Sequence, residues 1–89
     1  MTDSVVEKLR EEINEIDRDL LTAVNRRLDV VRRLHDHKLE QGMALRDPGR
    51  EESMLTLLVD ANPGPLSAEG VHAFFRKVLD LTRRELHGE

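Results

Sequence analysis

The sequence predicts an all-α fold: three helices per chain, one of them very long, in an intertwined helical homodimer. Three observations predict it. Residues 1–41 contain neither Gly nor Pro, the strongest breakers of local structure. Apolar residues there recur in steps of three and four, the period of one helix face. The composition is 36% charged and 38% hydrophobic, with Phe74 and Phe75 the only aromatics, a mixture that suits amphipathic helices better than sheets. At 89 residues the chain is expected to form one domain over 1–89, too short for two independent cores.

The first helix is expected over about 4–41. Leu9, Ile13, Ile16, Leu20, Val24, Val31 and Leu34 lie on one face, with a single gap at Arg27. Ser4 followed by Glu7 reads as a capping box, and Gly42 as the residue just past the end. The second helix, about 48–61, is announced by Asp47 as N-cap and Pro48 at its first position, with Met54, Leu55, Leu57 and Leu58 as its buried face. Asn62-Pro63-Gly64-Pro65 must be a loop. Ser67 caps the third helix, about 67–87, with Leu66 and Val71 as a hydrophobic staple. Its apolar positions are Val71, Phe74, Phe75, Val78, Leu79, Leu81 and Leu86, and it is expected to fray at Gly88.

The length of the first helix argues for a partner. At 1.5 Å per residue it measures about 55 Å, whereas a compact chain of this size has a diameter near ~30 Å. Two short helices cannot cover so long an apolar face, so a second copy is expected alongside it. A kinked first helix folding back on itself is the competing solution, and no Pro or Gly is there to make the kink.

Other features narrow the function classes. A net charge of −4 leaves no basic excess for nucleic acid. Without cysteine there is neither a disulfide framework nor a thiolate site. No apolar leader opens the sequence and no apolar run approaches membrane-spanning length, so a cytoplasmic protein that engages no membrane is expected. His35 and His37, two apart on a helix, face different ways and read as surface histidines, with no metal site.

Two cations interrupt the apolar stripe. Arg27 lies three residues after Val24, and Lys38 four after Leu34. Eleven residues apart, they are three turns on and point in nearly the same direction. Unpaired charge is costly to bury, so an anion is expected to meet them; snorkelling to solvent or pairing with a core acid is the alternative.

The stretches Leu9-Arg10-Glu11-Glu12-Ile13 through Asp17, Asn25-Arg26-Arg27, His37-Lys38 and Arg46-Asp47-Pro48-Gly49-Arg50-Glu51 resemble, in one ungapped register, the all-helical chorismate mutase family. Asn62-Pro63-Gly64-Pro65 is similar to the mutase domains fused to a DAHP synthase in some bacteria, which makes such a synthase a candidate partner. The resemblance implies an isomerase of the shikimate pathway that converts the dianion chorismate to prephenate by a [3,3] rearrangement. No metal, cofactor, covalent intermediate or proton transfer is implied. Catalysis then consists of holding a compact reactive conformer and stabilising charge as the ether bond breaks.

By that resemblance Arg10 and Arg27 grip the two carboxylates, Lys38 meets the ether oxygen, Asp47 and Glu51 take the ring hydroxyl, and Arg50 lies beside the site. Lys38, Arg27 and Glu51 are the expected catalytic groups. Arg10 and Arg27 are 17 residues apart, about 25 Å along one helix, so both reach one small ligand only if Arg10 comes from the other subunit. The family shares sites between chains in this way.

Each assignment has a plainer rival. Asp47 is an N-cap whatever else it does, and Glu51 suits a helix N-terminus electrostatically. Arg10 has Asn14 and Asp17 within reach. Arg26, Arg32, Arg33, Arg83 and Arg84 read as a solvated face. On the last helix the family usually carries a Ser or Thr, then a Gln or Glu four residues later that shares the ether oxygen with the lysine. Thr82 fits the first place, but Leu86 stands in the second and cannot donate a hydrogen bond. Glu85 serves there only if the helix is rotated or bulged and the carboxyl is protonated, which predicts activity falling as pH rises. The rival functions are an isochorismate-pyruvate lyase, an amino-deoxychorismate mutase, and a non-catalytic helical regulatory or dimerisation module.

Overall fold

A computed structural model describes residues 3–87. Among them there are three helices: α1 Ser4–Glu40, α2 Pro48–Ala61 and α3 Ala68–His87. The expected fraying at Gly88 lies outside the described residues. The chain divides between Arg33 and Leu34 into two compact units, and α1 runs through the boundary as one continuous helix.

The start of α1 differs from the capping-box expectation. Asp3, not Ser4, is the cap: its Oδ1 accepts from the Val5 and Val6 amides at 2.8 and 3.4 Å, and its carbonyl accepts from the Glu7 amide. An ionised carboxylate accepts more strongly than a hydroxyl and favours the positive helix end, so the acid one residue earlier wins. At the other end Gly42 has φ +65°. Its amide donates to Leu39 O and that of Met43 to Lys38 O, the paired bonds of a Schellman closure.

On α2, Asp47 Oδ1 accepts from the Arg50 amide at 3.1 Å and Pro48 occupies the first turn, where a missing N–H costs nothing. The loop that follows is organised by Asn62, whose Nδ2 donates to Leu66 O and whose Oδ1 accepts from the Gly64 amide. Ser67 Oγ then caps α3 through the Gly70 amide at 3.0 Å. Leu66 folds back over that first turn, close enough that a Cβ on Gly70 would meet its Cδ1 at 2.6 Å.

In the unit beginning at Leu34, α2 packs on α3 around Leu55, Val71, Val78 and Thr82, all buried. Each fully buried aliphatic side chain there contributes about 1.5–3 kcal/mol. Val71, Phe75, Val78 and Thr82 fall in steps of four, three and four, the inner stripe of α3. Two expected core residues are not in it. Leu57 is 68% exposed, because it lies about 200° around α2 from Leu55. Phe74 is 45% exposed, one residue off the α3 stripe, and meets Phe75 edge to face.

The unit ending at Arg33 is a single run of α1. No residue anywhere on α1 is buried. Leu9, Ile13, Ile16 and Leu20, the expected inner face, are each about half exposed.

Candidate active site

In the unit beginning at Leu34, the end of α1, the start of α2 and the last turns of α3 carry most of the polar side chains that are withdrawn from solvent, Asn62 and His72 being the others. Lys38 is half-buried, and its Nζ donates to Leu45 O at 3.4 Å. This carbonyl is neutral, so the ammonium charge meets no carboxylate in that contact. Glu51, in the first turn of α2, reaches across to α3. Arg83 Nη2 donates to its Oε2 at 3.3 Å and its Oε1 at 3.5 Å, and Arg83 Nη1 donates to Asp80 Oδ1 at 2.9 Å. The Glu51 and Arg83 side chains are each 24% exposed.

Arg83 therefore does not belong to the solvated face expected for it. Its neighbour Arg84 does, being exposed. The difference is one of phase: Arg83 follows buried Thr82 and borders the inner stripe of α3, whereas Arg84 is a further 100° around. A sequence signal existed in that register, but it required knowing that Glu51 of α2 lies opposite.

The remaining expected residues divide by exposure. Asp47 and Arg50 are exposed, and the Asp47 carboxylate caps α2. Thr82 is buried, its Oγ1 donating to Val78 O at 2.8 Å. Glu85 is exposed and Leu86 half-buried, in a helix that runs without a bulge from Ala68 to His87.

His35 corrects another expectation, because it is not a surface histidine. Its ring stacks on that of His87 with centroids 4.8 Å apart, and its Nδ1 is buried without a hydrogen-bond partner among the described residues. Burial pushes its pKa below the usual histidine value; His87 and Lys38 lower it further, and Asp36 opposes them. His37 is exposed, as expected.

In the unit ending at Arg33, Arg10 is exposed and Arg27 half-buried. Arg27 borders a shallow groove of about 470 Å³ along α1, lined also by Asp19, Ala23, Val30 and Val31. Of all the Lys and Arg residues on α1, only Arg27 and Lys38 are withdrawn from full exposure. The two interruptions of the apolar stripe are thus its two shielded cations.

Residues 9–86 match the family described as chorismate mutase type II. The chain belongs to that family. Solved chorismate mutases agree in fold. The Thermus thermophilus enzyme in its form I is 29% identical with a TM-score of 0.86, over 89% of this chain and 99% of that one. Its form II gives 29% and 0.85, over 89% and 90%. The Helicobacter pylori chorismate mutase in complex with prephenate is 26% identical with a TM-score of 0.84, over 97% of this chain and 93% of that one. No curated protein matches the sequence. As expected of a type II chorismate mutase, the described residues are helical, without a strand. None of these helices is long and apolar enough to cross a membrane.

Proposed function

We propose that this protein catalyses the rearrangement of chorismate to prephenate in the cytoplasm, as a homodimer whose two active sites are each built from both chains. The observation that carries the reading is the shielding of Arg27 and Lys38, alone among the α1 cations, on a helix whose family handles a dianion. Desolvated cations bind carboxylates more strongly than exposed ones because water competes less for them.

In this mechanism the ether C–O bond breaks as a new C–C bond forms within the same molecule, so no second reactant is consumed. Arg27 and the partner subunit's Arg10 hold the carboxylates in planar, two-pronged contacts that select the compact conformer. Lys38 turns its ammonium from Leu45 O to the ether oxygen, where negative charge grows in the transition state. Asp47 and Glu51 accept the ring hydroxyl proton in hydrogen bonds, and Arg50 lies beside them. Thr82 and Leu86 line the α3 side of the site, with Glu85 at its edge.

Support for the dimer comes from α1. A half-exposed row of Leu9, Ile13, Ile16 and Leu20 on a helix without one buried residue is the kind of contiguous apolar surface that marks an interface. A second copy laid antiparallel covers it and brings Arg10 within reach of the other chain's Arg27. A DAHP synthase is the candidate for a further partner, on the resemblance of the 62–65 loop alone.

The test is to incubate the protein separately with chorismate, isochorismate and amino-deoxychorismate, with Arg27→Ala alongside. Loss of chorismate and appearance of prephenate, abolished in Arg27→Ala, is the expected result. Consumption of isochorismate alone, or equal chorismate loss in both proteins, overturns the reading.

A further inference from the structure

We infer that Arg83 is a positioning residue for Glu51, orienting its carboxylate for the substrate hydroxyl and offsetting its charge against the incoming dianion. The inference rests on the proposal that Glu51 is a substrate ligand. Of the Lys and Arg side chains on α3, Arg76, Lys77 and Arg84 are exposed and Arg83 alone is turned inward. Its guanidinium is held at two points. Asp80, one turn earlier on the same helix, fixes Nη1 at 2.9 Å, which aims Nη2 at both oxygens of Glu51.

A glutamate has three rotatable side-chain bonds, and contact with both of its oxygens restrains the plane of the carboxylate. An ionised carboxylate only accepts hydrogen bonds, so what it can receive is a hydroxyl, and its plane sets where that hydroxyl must lie. A lone Glu51 beside a doubly negative substrate would also repel it. Arg83 supplies the compensating charge, and its planar guanidinium supplies the direction, which an ammonium cannot. Water still reaches both side chains, each 24% exposed, so the pair adds modest stability and orientation is its chief consequence.

The test measures kcat and KM for chorismate in Arg83→Met, Arg83→Lys, Asp80→Asn, Glu51→Gln and the Glu51→Gln/Arg83→Met double variant. Exposed Arg84→Met serves as the control, and thermal unfolding is followed throughout. Arg83→Met is expected to lower kcat/KM on the order of 10-fold. Arg83→Lys should recover part of that loss, and Asp80→Asn should show a smaller loss at unchanged Tm. The double variant should be no slower than Glu51→Gln, since both lesions remove one function. Kinetics in Arg83→Met and Asp80→Asn that match the Arg84→Met control overturn the inference, as do losses that multiply in the double variant. Full activity in Glu51→Gln overturns the reading of Glu51 as a ligand, a distinct failure visible in that variant alone.

Discussion

Lys38 and His35 sit one turn apart near the end of α1, both withdrawn from full exposure, and they make different contacts there. Lys38 donates to a neutral carbonyl, Leu45 O, a bond that is easily exchanged for a better acceptor. Lys38→Ala is expected to lower kcat by about 10²- to 10³-fold, the usual loss of one donor to a developing negative oxygen. Its KM should change less, and steady-state kinetics on chorismate measures both. His35 is held in the neutral form by burial, by His87 and by Lys38 itself. With the folded-state pKa below the unfolded value, the unfolded chain binds the additional proton. Stability is therefore undiminished above the ordinary histidine range and declines as pH falls from about 6.5. Thermal unfolding at pH 7.5 and 5.5 should show a larger drop in Tm for the wild type than for His35→Phe, which keeps the stack and cannot titrate.

The helices owe their limits to a few residues whose roles are local. Ser67→Ala removes the hydroxyl that accepts from the Gly70 amide and should cost about 1 kcal/mol. That loss corresponds to a Tm lower by about 4–8 °C in a domain of this size. Gly42→Ala places a Cβ in a left-handed turn and should destabilise by about 1–2 kcal/mol. Calorimetry measures both; Ser67 is not among the residues assigned to the substrate, whereas the Gly42 turn closes on the Lys38 carbonyl. These features are legible in the sequence because capping depends on residue type within four positions. The first cap falls at Asp3 rather than at the expected Ser4, since the two good caps are adjacent and the carboxylate is the stronger acceptor at the positive helix end. Leu57 and Phe74 read as core residues in the sequence because a helix with apolar residues on two sides does not reveal which side finds a partner.

For the whole molecule, the decisive question is whether each site draws on two chains. In the proposed homodimer, Arg10→Ala and Lys38→Ala are each expected to disable both sites. Mixed and allowed to exchange, they form heterodimers in which one site carries both lesions and the other carries neither. Activity should therefore reappear on mixing, toward a quarter of wild type at equal amounts if exchange is random. Sedimentation should give a dimer throughout. Mixtures no more active than their components would place Arg10 outside a shared site.

What the sequence by itself determined is the part of this protein governed by short-range rules: three helices, their ends, and the two cations in the phase of the α1 stripe. Those depend on periodicity and on neighbours a turn away. Only the tertiary structure decided that Arg83 turns in to meet Glu51, that His35 stacks on His87, and that Leu55 rather than Leu57 is buried. Each is a contact or a side taken between helices distant in sequence. A helix periodicity lists the residues on a face but not the groups opposite it, and ion pairing, ring stacking and burial depend on those groups.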